Sequence, residues 1–143
     1  MNIQRAESDT AIQECFPVFS ELRPHLTQDA FVAQVKRQMQ NHNYTLVYLL
    51  DQGQVVAAAG YRVTEFLAWG NTFYLDDLIT RASARKNGYG SALMDWLLQE
   101  ANNLGCQQFH LDSGTHRHDA HRFYMGRKLQ ISSYHFSKNL AHC

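Results

Sequence analysis

Arg85-Lys86-Asn87-Gly88-Tyr89-Gly90-Ser91-Ala92-Leu93 has the residue types of an anion cradle. Two glycines one residue apart let the main chain curl closely around a ligand. The strongly helical segment that follows would aim unpaired N–H groups at the same point. With Arg85 and Lys86 alongside, the chemistry is phosphate binding. The plain alternatives are a tight turn before a helix for the glycines and, for Lys86, a solvated surface charge. A Walker loop requires Gly-x-x-x-x-Gly-Lys-Ser/Thr, which the chain lacks. A dinucleotide fingerprint requires a small residue where Leu93 stands, early in a longer doubly wound domain. Neither fits.

Other groups could move protons or bind metal. Asp76 and Asp77 are neighbours in a strand-like run, so their side chains should face opposite ways and only one can enter a cleft. Glu65 is a further carboxylate near a strand end. His110, Asp112, His116, His118 and His121 are close in sequence, and His118 and His121 would share a helix face at a spacing that can hold metal. No cysteine joins them, so a zinc site is the minority reading. His110 or His116 as a proton relay is the better one, given a pKa near 6.5. Ser113 or Thr115 would cap the next helix or touch a ligand.

These groups must be positioned by the elements around them. A short strand is expected near Ile3. Ile12, Phe16 and Phe19 then recur at helical spacing, with Pro17 implying a kink or a later start. Thr27 is an N-cap for a second helix showing Phe31, Val35 and Met39. Tyr44–Leu50 and Val55–Val63 read as a hairpin around Asp51-Gln52-Gly53. Phe66–Trp69 is an apolar margin before a turn at Gly70-Asn71, and residues 72–80 make a third strand of this group. Residues 88–104 are the clearest helix, with Leu93, Leu97, Ala101 and Leu104 on one face and Gly105 as its stop. A strand at 107–112 should run parallel to that at 72–80, because a helix joins them. A helix at about 118–125 and a last strand at 130–136 follow. The whole predicts a mixed sheet with helices packed on it.

The 143 residues suit one domain of 1–143, with no repeats or linkers to suggest a second. Hydrophobic residues at 45% and charged residues at 18% are those of a soluble globular protein. The formal net charge is zero, so no basic field draws in nucleic acid or an anionic membrane, and any anion site is local. No run approaches the roughly 20 apolar residues of a membrane span. The first residues have no apolar core for a signal peptide. Cys15, Cys106 and Cys143 read as reduced thiols, which points to the cytoplasm and leaves the Asn43-Tyr44-Thr45 sequon without meaning.

In this order the motifs resemble those of the GNAT family of N-acetyltransferases. Arg85, Gly88 and Gly90 match its Gln/Arg-x-x-Gly-x-Gly/Ala motif at a strand–helix junction. Tyr74-Leu75-Asp76-Asp77-Leu78-Ile79-Thr80 looks like its fourth strand. Ala120-His121-Arg122-Phe123-Tyr124 looks like its late helix, with the tyrosine in the usual place. The element order matches over nearly the whole chain.

The resemblance implies an α/β fold with a central mixed, mostly antiparallel twisted sheet, helices on both faces and a parallel βαβ core. It implies acetyl-CoA as the donor, its pyrophosphate held by Arg85, Lys86, Asn87, Gly88, Tyr89, Gly90 and Ser91, and no metal. A bulge in the fourth strand would splay it from the fifth and leave backbone groups of Leu78, Ile79 and Thr80 for pantetheine. Asp76 falls where many members carry the acid that accepts the amine's proton. Tyr124 falls where a hydroxyl protonates the departing thiolate, although core packing is its plain alternative. A phenol of pKa about 10 can supply a thiolate of about 8.5 late in the reaction. The implied activity is acetyl transfer to a primary amine by direct attack in a ternary complex. The alternative is a CoA-binding sensor or interaction module without turnover. The acceptor, a small molecule or a peptide, is not readable, though Arg23 and His25 in the connection between the first two helices offer contacts. Met125-Gly126-Arg127-Lys128-Leu129 departs from the family's usual ending and leaves open the shape of the last strand and any homodimer built on it.

Overall fold

The computed structural model describes residues 2–141; Met1, His142 and Cys143, the last of the three cysteines, lie outside the described residues. The described chain falls into two compact units, one ending at Leu111 and one beginning at Asp112.

The first unit runs β1 (Asn2–Arg5), α1 (Asp9–Leu22), α2 (Gln28–Asn41), β2 (Tyr44–Asp51), β3 (Gln54–Phe66), β4 (Gly70–Thr80), α3 (Tyr89–Asn103) and β5 (Gln108–Leu111). The strands form one sheet in the order β1-β2-β3-β4-β5. The first three pairings are antiparallel and β4–β5 is parallel, as the intervening helix requires. The expected mixed sheet is therefore present.

Two features of this unit differ from expectation. Of the two readings of Pro17, the later start does not hold, because α1 begins at Asp9 and runs through it. Ser8 caps that start by accepting the Ala11 N–H, and Ile12, Cys15, Val18 and Phe19 are all buried along the helix. That continuous apolar stripe outweighs the hydrogen bond lost at Pro17. The second reversal lies at Leu67–Trp69 rather than Gly70-Asn71, because Glu65 pairs with Asn71 and Phe66 with Gly70. The Thr27 cap is as expected, accepting the Ala30 N–H.

Alternate sheet residues serve opposite layers. Leu46, Tyr48, Ala58 and Ile79 join Ile12, Cys15, Val18, Phe19, Phe31 and Val35 of α1 and α2 in one buried cluster. Val47, Ala57, Ala59, Phe73 and Leu75 are buried between those positions, and α3 packs on β3 and β4 with Leu93, Met94 and Leu97 fully buried. Helices thus cover both faces of the sheet.

Gly60 is opposite Leu46 and Asp77 in the ladder, and a Cβ there would sit 1.7 Å from the Tyr44 hydroxyl. Gly60→Ala is expected to cost about 1–3 kcal/mol by overpacking. The measurement is a lower urea midpoint with an unchanged m value.

The second unit contains α4 (His118–Gly126), as expected. The last strand expected at 130–136 does not form; residues 129–140 carry no regular secondary structure. Ile131, Tyr134 and Phe136 are 71%, 87% and 91% exposed. β-propensity expresses side-chain packing on a half-buried ladder, so a run without a paired neighbour does not become a strand. Among the described residues no helix is long and apolar enough to cross a membrane.

Candidate active site

The segment between β4 and α3 opens with a 3-10 turn at Ala82–Ala84 and reaches Gly88, the N-cap of α3. Gly88 has φ +79° and Lys86 φ +70°, so two left-handed residues flank Asn87. The Asn87 side chain donates to Ala84 O at 2.9 Å and pins the curve. No side chain caps α3, and its first internal bond runs from Ala92 N–H to Gly88 O. The Tyr89 and Gly90 N–H groups therefore lie in the turn where a helix has no acceptor of its own.

The space above Gly88 is open, with nothing within 4 Å of a built Cβ. At Gly90 a Cβ would come 3.1 Å from Thr80 Oγ1, so this glycine brings the helix against the end of β4. Arg85 and Lys86 are exposed beside the loop. Arg81 is drawn aside, its Nε donating to Val55 O. Tyr89 donates its hydroxyl to the Asp51 carboxylate and ties the first turn of α3 to β2. A curved main chain, an uncapped helix start and two exposed cations fit a diphosphate.

The second component is a bulge. Gly60 pairs with Asp77 but Tyr61 pairs with Leu75, which leaves Asp76 as the extra residue of β4. The expectation that Asp76 and Asp77 face opposite ways is corrected by this register. Asp77 accepts the Tyr44 hydroxyl at 2.8 Å and Arg23 Nη2 at 2.8 Å. Asp76 accepts Arg62 Nε at 2.8 Å, and Arg62 is the direct cross-strand partner of Tyr44. Directly paired residues share a face, so both carboxylates are engaged from the side that carries α1 and α2. The bulge interrupts the pleat between them.

Burial raises the Asp76 carboxyl above its ordinary range; Arg62 pulls it back, while Asp77 adds to the rise. Asp77 is held at both oxygens, by Arg23 and by Tyr44. Burial, then Asp77, pushes the Tyr44 phenol well up, so it stays a hydroxyl donor.

The bulge also begins the free edge of β4. The strand pairs with β5 only over Thr72–Leu75, while Leu78, Ile79 and Thr80 pair with β3 alone. Arg81 N–H donates to Val56 O at 2.8 Å. By the antiparallel alternation, the Ile79 backbone groups then face β3, and those of Leu78 and Thr80 face the open edge. Pairing with β5 thus stops short of these residues, and two of the three turn their polar groups away from β3.

The other candidates have surroundings of their own. Glu65 is exposed and five residues along β3 from Gly60, roughly 16 Å away by strand rise. His110 stacks on Trp69 with ring centroids 3.7 Å apart, and burial lowers its pKa. In the second unit, α4 is preceded by Arg117 with no side-chain cap, so neither Ser113 nor Thr115 caps it. The Ser113 Oγ is buried with no hydrogen-bond partner among the described residues. His121 Nε2 pairs with Gly114 O at 2.8 Å, and its ring meets that of His118 edge-on. No group of three His, Cys, Asp or Glu side chains among the described residues could hold a metal ion. Tyr124 is partly buried on α4 beside Phe123, and burial raises its phenol while Arg117 lowers it. Burial pushes the Cys15 thiol up to about 12, which keeps it protonated and a poor nucleophile.

Tyr44 and Arg62 belong to this centre without having been singled out in the sequence. One available signal was Gly60, since a glycine inside a strand marks a close approach. Here the approaching group is the Tyr44 ring.

The model of the Acetyltransferase (GNAT) family matches residues 9–127. The chain is 32% identical over 126 residues to the uncharacterised N-acetyltransferase YhdJ of Bacillus subtilis (strain 168), covering 87% of this chain and 89% of that protein. It is 28% identical over 127 residues to the aminoalkylphosphonate N-acetyltransferase of Salmonella typhimurium (strain LT2), covering 88% and 80%. The solved aminoglycoside N-acetyltransferase AAC(6')-Iy in complex with CoA shares the fold, with a TM-score of 0.84 over 98% of this chain and 94% of that one at 13% identity.

Proposed function

Because the chain belongs to the Acetyltransferase (GNAT) family, we propose that it transfers acetyl from acetyl-CoA to a primary amine by direct attack in a ternary complex. In this reading residues 1–143 act as one catalytic domain. The observation that carries it is the left-handed cradle at Lys86 and Gly88, opening onto an uncapped helix. Support for the donor comes from the CoA complex of a fold neighbour. Support for a small amine acceptor comes from two proteins named for aminoglycoside and aminoalkylphosphonate substrates.

Bound acetyl-CoA would supply a thioester carbonyl open to an amine. The loop from Arg85 to Ser91 holds the diphosphate, with Tyr89 and Gly90 contributing main-chain N–H groups. Asp76 takes the ammonium proton, directly or through one water. An N–H of Leu78 or Thr80 on the open edge of β4 donates to the carbonyl oxygen as its charge grows. Tyr124 returns a proton to the departing thiolate. Direct attack involves no acetyl-enzyme, and the buried Cys15 thiol, held protonated, is a poor nucleophile for one.

Tyr124→Phe is expected to lower kcat about tenfold with acetyl-CoA affinity unchanged. This lies below the usual range for an acid catalyst, because a thiolate of pKa about 8.5 already leaves readily near neutrality. Thiol release at saturating substrates measures it, and an unaltered kcat removes Tyr124 from the mechanism. The whole reading is tested by isothermal titration with acetyl-CoA followed by thiol release with a panel of amines. Absence of binding at millimolar ligand would sink it. Binding without turnover on any amine would favour a CoA-binding module.

A further inference from the structure

We propose that Arg23 is a positioning residue, a clamp that holds the β4 bulge and the α1–α2 connection as one piece, and that it does not bind the acceptor. This rests on the reading of Asp76 as proton acceptor.

Arg23 is the C-cap of α1 and opens the connection to α2. Its side chain reaches across to β4 and makes three hydrogen bonds there. Nε donates to Asp77 Oδ1 at 3.1 Å and Nη2 to the same oxygen at 2.8 Å. Nη2 also donates to the main-chain carbonyl of Asp76 at 3.2 Å. That carbonyl belongs to the extra residue of the bulge, whose backbone the β3 ladder leaves unpaired. A planar guanidinium can serve a carboxylate and a neighbouring carbonyl at once, which a lysine ammonium on a flexible stem cannot do with the same geometry.

Asp77 is the second jaw. Its other oxygen accepts the Tyr44 hydroxyl, which sits over Gly60 on the partner strand. The bulge is thus held from the helical layer by Arg23 and from the sheet by Tyr44. The Asp76 carboxylate accepts from Arg62. The charged or titratable groups facing Asp76 are Arg62 on β3, Asp77 on β4, Arg23 on the connection and Tyr44 on β2. Removing Arg23 withdraws a cation from Asp76 and leaves the Asp77 charge beside it less compensated. Both changes raise the Asp76 carboxyl.

The test compares wild type, Arg23→Met and Arg23→Lys. Readouts are acetyl-CoA affinity, melting temperature, the pH profile of thiol release with the amine panel, and the carboxyl titration of Asp76 by carbon NMR. Arg23→Met should keep acetyl-CoA affinity and melt within a few degrees of wild type, since the Arg23 end of the pair is half-exposed and Asp77 keeps the Tyr44 hydroxyl as a donor. Its kcat at saturating amine should fall tenfold or more, and the Asp76 midpoint should move up. Arg23→Lys should restore the midpoint but not kcat, because it returns the charge without the three-point hold. A raised acceptor KM with unchanged kcat would make Arg23 a substrate contact and overturn the proposal. A melting temperature that falls in parallel with kcat, with no movement of the midpoint, would make it structural only. If wild type acetylates no amine, the acetyl-transfer reading fails by itself, and the NMR midpoint still decides for or against the clamp.

Discussion

Asp76→Asn is expected to lower kcat/KM for the amine by about 10²–10⁴, the usual loss on removing a general base. Acetyl-CoA affinity should not change, since Asp76 lies on the α1/α2 side of the bulge and the diphosphate loop follows the end of β4. The amide keeps an oxygen for Arg62, so the fold is retained. The pH dependence gives a second readout. Partial burial raises the carboxyl above its ordinary range. A proton acceptor works only when ionised, so wild-type kcat/KM falls as pH drops through that raised value. The Asn variant loses this limb and keeps the one set by the acceptor's own ammonium. Asp77→Asn serves as the comparison. It unpicks Arg23 and Tyr44, so it should cost stability first and activity second. A larger kinetic loss in Asp77→Asn than in Asp76→Asn would reverse the two roles.

Gly88→Val is expected to weaken acetyl-CoA binding about a hundredfold. The left-handed φ of +79° costs a non-glycine residue about 1–2 kcal/mol, and a β-branched residue is the worst occupant. Relaxing that strain turns a main-chain N–H away from the diphosphate, a charge-assisted bond of about 1.5–3 kcal/mol. Together these come to about 2.5–5 kcal/mol, a range that contains the roughly 2.7 kcal/mol of a hundredfold change. The added side chain meets nothing in the protein within 4 Å, so the melting temperature should fall only modestly. Gly88→Ala should show the smaller, strain-only part of the effect. Titration with acetyl-CoA measures both variants, and equal affinity for Gly88→Val and wild type would show that the loop does not hold the diphosphate.

The two centres were legible in the sequence to different degrees. The donor loop was readable because its information is local: Gly88 adopts a conformation that only glycine takes cheaply, and the helix begins where the loop ends. The parallel pairing of β4 with β5 was likewise set by the helix between them. The later start allowed for at Pro17 failed because a local penalty was weighed without the buried stripe of Ile12, Cys15, Val18 and Phe19 that carries the helix through it. The strand expected at 130–136 failed for the complementary reason, since its residues suit a ladder but find none.

The acid–base centre depended on register. Whether Asp76 and Asp77 face apart or together turns on one extra residue opposite Gly60 and Tyr61, which alternation along β4 alone cannot reveal. The partners that define Asp77 come from 54 and 33 residues earlier in the chain, as Arg23 and Tyr44. By itself the sequence determined the family, the mixed sheet and the place of the glycine loop that opens α3, because backbone preference and helix capping act over a few residues. Only the tertiary structure decided which partners hold Asp76 and Asp77, and that Leu78, Ile79 and Thr80 pair with β3 and not with β5. Those depend on strand register and long-range ion pairs, which exist only once the sheet has formed.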